Sequence, residues 1–206
     1  MHEVARVFME VNIFLIDMQS TIDTQAKRVT YLSISANSEI RFNLTNQCNL
    51  RCNYCYVDFD NTVLSLETAY RIIRYCLEIG RPPHIFSFFG GEPLLEFERI
   101  RSIVSYIEQQ YDEHHLPHPR YKIATNALLL NAEKLQYLRD KKFEIHITLG
   151  GLPMLHDRFR DGSWDRLHEK MQQLSMIQSS DITFLLMIHP ETIGQLFYSY
   201  VFLKNQ

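Results

Sequence analysis

The chain lacks any excess of positive charge: 21 lysines and arginines stand against 24 acidic residues among 206, a net charge of −3. The basic residues are scattered and form no stripe. Without that electrostatic footprint a phosphate backbone is not followed, so nucleic acid is not an expected partner. A long apolar run is missing too. The longest stretch near the start, Val11 to Ile16, falls far short of the ~20 residues that cross a bilayer. Nor does the chain open like a secretory leader, because Glu3 and Glu10 interrupt the opening and no small-residue cleavage site follows. No membrane partner is expected, and the expected location is cytoplasmic. Cysteine is scarce and unevenly spread. Three of the four fall between Cys48 and Cys55, while Cys76 stands alone; such crowding in a chain of this kind points to metal binding before disulfides.

What is present is enough apolar material, 46% of residues, to bury one substantial core. Residues 1–37 form an N-terminal segment in which short strands are expected over Val7 to Ile16 and Val29 to Ile34. From residue 38 to 206 the pattern turns regular. Ile40 to Leu44 reads as a strand, followed by a cysteine-rich loop and a helix capped by Ser65 and ended by Gly80. Four more units follow. Their strands are Ile85 to Phe89, Tyr121 to Thr125, Glu144 to Leu149 and Ile182 to Ile188. Their helices carry Phe97, Ile100 and Val104; Asn131 to Asp140; Trp164, Leu167 and Met171; and Glu191 to Leu203. Strands alternating with helices predict a parallel sheet, since a parallel crossover needs a helix-sized connection. The nearly unbroken apolar runs IFSFF and ITFLLMI read as strands covered on both faces. The expected class is α/β, either a parallel barrel or an open sheet, with the chemistry sought where strands end.

After the first strand, TNQCNLRCNYCY places Cys48, Cys52 and Cys55 in a CxxxCxxC spacing. Three thiolates can hold three irons of a [4Fe–4S] cube and leave the fourth iron open. The same thiols could instead serve a zinc site completed by Cys76 or a histidine. Cys76 lies on the apolar face of its helix and reads as a core residue. After the second strand, FFGGEPLL supplies two glycines, Gly90 and Gly91, that let the backbone approach a ligand, and Glu92, an acceptor suited to an ammonium group. His114, His115 and His118 read as a polar surface loop.

With CxxxCxxC after one strand and GGEP after the next, the sequence resembles the radical S-adenosylmethionine (SAM) superfamily from about Ile40 onward. That resemblance implies a partial TIM-type (β/α) barrel, of whose six strand–helix units about five are visible here. It implies a [4Fe–4S] cluster on Cys48, Cys52 and Cys55, whose open iron chelates SAM, and a GGEP segment that binds the SAM amino group. The implied activity is reductive cleavage of SAM to a 5′-deoxyadenosyl radical that takes a hydrogen atom from substrate. ATNALLL is similar to the family's TNG-type segment, with Asn126 toward the ribose. ITLGGLPMLHDRFR resembles the SLDGP…HDxxR segment of SPASM-type sulfatase and peptide maturases, which places Thr148 and Arg160 at the SAM carboxylate. Tyr54 matches the aromatic position near adenine, while His156 and Asp157 read as structural.

The substrate implied by that subgroup is a peptide or protein side chain, with an external donor of the flavodoxin or ferredoxin type. A small-molecule substrate, or a silent cluster- or zinc-binding module, is the competing expectation. Gly150 stands where the subgroup has aspartate. Neither a sixth unit nor a cysteine-rich extension is seen, so the chain is expected to be marginally stable alone or completed by a partner chain, because an open sheet edge invites pairing.

Overall fold

The computed structural model describes residues 38–174, 182–187, 190 and 192–204. The N-terminal segment 1–37, with its expected strands over Val7 to Ile16 and Val29 to Ile34, lies outside the described residues. Five strands are joined by helices in the expected alternation: β1 (Glu39–Asn43), α1 (Leu66–Glu78), β2 (Ile85–Phe89), α2 (Phe97–Glu113), β3 (Arg120–Thr125), α3 (Ala132–Asp140), β4 (Phe143–Leu149), α4 (Pro153–Phe159), α5 (Trp164–Gln173), β5 (Ile182–Leu186) and α6 (Leu196–Lys204). All pair in parallel in the order β1-β2-β3-β4-β5. No neighbour is out of sequence. With right-handed crossovers, such an order sends every connecting helix to one side of the sheet. That is the winding of a partial TIM-type barrel.

Register shows which face the helices cover. Phe42, Phe88, Ile123, Ile145 and Ile182 form one row across the sheet, and Phe86, Tyr121 and Phe143 form part of the row below. Aromatic contacts bind these rows, with Phe42 at 5.9 Å from Phe86 and Tyr121 at 5.2 Å from Phe143. Tyr111 of α2 meets Phe86 edge-on at 6.2 Å, which places the helices over this face. A fully buried ring of this kind contributes about 1.5–3 kcal/mol.

The opposite face carries polar residues; the expectation of strands covered on both sides is met by β2, whose Ile85 to Phe88 are all buried, and needs correcting for β5, which alternates half-buried and exposed residues. Arg41, Ser87, Lys122 and Glu144 stand side by side on it. Ser87 Oγ donates to Glu39 at 2.6 Å, and Lys122 pairs with Glu144 at 3.4 Å. β3 and β4 therefore alternate buried and half-buried residues. Helices cover only the convex side of a singly wound sheet, so the concave side is covered by the sheet's own side chains, completely at Ser87 and only partly at Lys122 and Glu144.

Local signals account for the helices. Ser65 caps α1 by accepting from Thr68 N–H at 3.1 Å, Ala69, Ile72, Ile73, Cys76 and Leu77 line its buried face, and Gly80 leaves it at φ +66°. The last helix starts later than expected, at Leu196, after a 3₁₀ turn over Ile193–Gln195. α4 was not foreseen; Pro153 starts it, as proline suits a first helical turn. Among the described residues no helix is long and apolar enough to cross a membrane.

Candidate functional site

The cysteine, GGEP, Asn126 and Thr148–Arg160 segments all lie at or after the carboxyl ends of strands, and the loops there are bonded to one another. The loop after β1 closes on itself through an antiparallel bridge between Thr45 and Val63, with Asn46 N–H donating to Thr62 O at 3.0 Å. Cys48, Cys52 and Cys55 lie within this excursion, half-buried and unbridged, and Leu50 anchors it at 2% exposure. Burial pushes the Cys48 and Cys52 thiols up, while the charge of Arg160 pulls Cys52 back. Among the described residues, no three of His, Cys, Asp and Glu are grouped so as to hold one metal ion.

The loop after β2 is laid directly along the cysteine loop. Gly91 N–H donates to Thr45 O at 2.7 Å and Glu92 N–H to Gln47 O at 2.8 Å. Only glycine permits this approach: a Cβ on Gly90 would lie 2.4 Å from Thr45 O, and one on Gly91 would lie 2.2 Å from Gln47 O. The Glu92 side chain is fully buried. Its Oε1 accepts from Leu94 N–H at 3.0 Å and Thr125 Oγ at 2.7 Å, and its Oε2 accepts from Asn126 N–H at 2.8 Å. Burial raises its pKa; these donors and the Arg160 charge oppose the rise. The carboxylate read from the sequence as an open acceptor is thus a clamp between the ends of β2 and β3.

Asn126 passes the connection on. Its Nδ2 donates to Asn49 Oδ1 at 2.8 Å and reaches Cys48 Sγ at 3.9 Å, while its Oδ1 accepts from Leu128 N–H at 3.0 Å. On the other flank, Asn53 N–H donates to Phe159 O at 3.1 Å, and Arg160 Nη1 donates to the Tyr54 hydroxyl at 2.5 Å. The three cysteines therefore sit on a loop gripped from the β3 side and from the β4 side. Arg160 is 5% exposed, and its Nε is buried without a partner among the described residues. An orphaned guanidinium N–H of this kind suits an anionic ligand group. Burial pushes the Tyr54 phenol up, against the pull of Arg160. Thr148 stands half-buried on the concave face of β4, opposite Leu185.

Cys76 is buried in α1 and its thiol is pushed up to about 11 by burial, consistent with a core role. His114 bonds to Gln110 O and His118 to Asp112, each at 2.8 Å, on the exposed end of α2. Sequence reasoning missed Thr125, Asn49 and Ser163, whose bonds tie the loops together. Only the polar residues that follow each strand hinted at them.

Residues 42–198 match the model of the Radical SAM superfamily. An uncharacterised protein of Methanocaldococcus jannaschii is 36% identical over 110 residues, 53% of this chain and 37% of that protein. The cysteine-type anaerobic sulfatase-maturating enzyme of Clostridium novyi is 24% identical over 176 residues, 79% of this chain and 46% of that protein. Among solved structures, native anSMEcpe with bound AdoMet and Cp18Cys peptide superposes with a TM-score of 0.68 at 18% identity, covering 82% of this chain and 47% of the other. The chain thus spans less than half the length of each of these.

Proposed function

Since this chain belongs to the radical SAM superfamily, we propose that Cys48, Cys52 and Cys55 each hold one iron of a [4Fe–4S] cluster whose fourth iron is left for SAM. The observation that carries this reading is the grip on the cysteine loop: Asn126 on one flank and Arg160 with Tyr54 on the other tie the loop that bears the three thiols to the ends of β3 and β4. When bound, the cluster and SAM supply one-electron cleavage of SAM to methionine and a 5′-deoxyadenosyl radical able to abstract a substrate hydrogen atom.

This chain's residues bind and orient. The buried guanidinium of Arg160, with Nε unpartnered, takes the SAM carboxylate, and Thr148 adds a hydroxyl from the concave face. The main chain of Gly90, Gly91 and Glu92 lies against the ammonium, since the Glu92 carboxylate is already engaged. Tyr54 packs toward adenine. Asn126, held by the Glu92 carboxylate, marks the ribose side. The substrate is a peptide or protein side chain, a reading supported by the similarity to a sulfatase-maturating enzyme and to a structure holding a peptide. An external flavodoxin or ferredoxin type donor supplies the electron.

The test is anaerobic reconstitution with iron and sulfide, reduction with dithionite, addition of SAM and assay for 5′-deoxyadenosine. Product is expected from the native chain and none from Cys52→Ala, which should also lose cluster iron. A [4Fe–4S] spectrum without product would sink the activity in this length of chain; uptake of zinc alone would sink the ligand assignment.

A further inference from the structure

The loop between β4 and Arg160 contains a buried chain of hydrogen bonds that the SAM contacts do not use. His156, fully buried, receives the Gly150 N–H at Nδ1 over 3.3 Å. Its Nε2 lies 2.9 Å from Ser163 Oγ, and Ser163 Oγ lies 2.6 Å from the Arg160 carbonyl. A carbonyl only accepts, so the Ser163 hydroxyl gives its one proton to Arg160 and accepts from His156 Nε2–H. Nδ1 is then the bare nitrogen that Gly150 N–H requires. The bonds specify one tautomer of a neutral imidazole, and burial together with the Arg160 charge keeps it neutral by holding its pKa down to about 4.

This chain of bonds joins the end of β4 to Arg160, the C-cap of α4, whose own N–H donates to His156 O at 2.8 Å. α4 spans seven residues and has no side-chain N-cap. Directly after Arg160 the backbone turns through Asp161 at φ +60° and Gly162 at φ +57°. Ser163, on the far side of that turn, reaches back to the Arg160 carbonyl. Gly150 makes the arrangement possible: a Cβ there would lie 2.7 Å from His156 Cα. The aspartate expected from the resemblance has no room, because the backbone of His156 occupies its space. Trp164 closes the cluster, its ring edge-on to His156 at 5.5 Å and its backbone N–H donating to Asp157 Oδ1 at 2.7 Å.

We propose that His156 and Ser163 are positioning residues that hold the Arg160 guanidinium at the SAM carboxylate by tying the Arg160 carbonyl to the end of β4 through Gly150. This rests on the reading of Arg160 as a SAM contact. The test is anaerobic equilibrium binding of SAM to the cluster-loaded protein, for Ser163→Ala, Arg160→Ala and the double variant. Iron content and the emission of Trp164, the chain's one tryptophan, report cluster loading and local packing independently of activity.

Ser163→Ala is expected to weaken SAM binding roughly five- to tenfold, the worth of one lost hydrogen bond, with iron and emission unchanged. In the Arg160→Ala background the same substitution should have no further effect. Native SAM affinity in Ser163→Ala, or equal weakening in both backgrounds, would overturn the proposal while leaving Arg160 as a contact. Native affinity in Arg160→Ala would instead remove Arg160 from the site and the positioning role with it. Should Ser163→Ala change the emission or lose iron, Ser163→Thr must restore SAM affinity along with them; a Thr variant that regains iron but not affinity also overturns it.

Discussion

Acidification should destabilise this protein through His156, and the size of the effect follows from the site. In the unfolded chain the imidazole titrates near its ordinary value of about 6.5. In the fold it is enclosed, and burial and the Arg160 cation push its pKa down to about 4, with Asp157 pulling weakly the other way. Between those values the unfolded state binds the extra proton, so stability is fully present above pH ~6.5 and is lost as pH falls toward 4. From pH 7 to pH 4 the loss is about 3 kcal/mol, a little under half of it by pH ~5.5. The imidazolium is also a structural misfit, because both nitrogens become donors and Nδ1–H would face Gly150 N–H. Urea unfolding of the apoprotein across this range, native chain against His156→Gln, isolates the contribution, since every other titrating group is common to both. The variant should lose about 3 kcal/mol less than the native chain. Identical pH dependence, or an NMR titration of His156 near 6.5, would refute the reasoning.

The clamp at Glu92 gives a second expectation. In Glu92→Gln the new amide N–H must face either Asn126 N–H or the Leu94 side, orphaning a buried backbone donor at about 1–3 kcal/mol; the thermal midpoint should fall by several degrees, and an unchanged midpoint would show the clamp to be idle. Gly91→Ala sets a Cβ 2.2 Å from Gln47 O, so the cysteine loop must shift, at about 1–3 kcal/mol and with poorer iron uptake; native iron content in this variant would count against the described approach. Cys76, with its thiol at about 11 and its side chain in the core, should be the last of the four cysteines alkylated by iodoacetamide at mildly alkaline pH. Mass spectrometry of the time course checks this, and labelling of Cys76 alongside Cys52 would place it outside the core.

The sequence by itself determined the alternation of elements and the cluster of thiols, because both are local. Helical and strand periodicity are written within single elements, and Cys48, Cys52 and Cys55 lie within one loop whatever the rest of the chain does. α4 escaped notice because seven residues are too few to show a helical period. The exposure of β5 escaped because the run ITFLLMI suggested a strand covered twice, as IFSFF is, whereas cover depends on how the sheet is wound. Only the tertiary structure decided the partners: Glu92 with Thr125 and Asn126, Arg160 with Tyr54 across 106 residues, and His156 with the two ends of its own loop. Those side chains are polar and buried, so each must find a donor or acceptor somewhere. Burial and curvature choose which one, and both arise from packing the whole sheet against its helices.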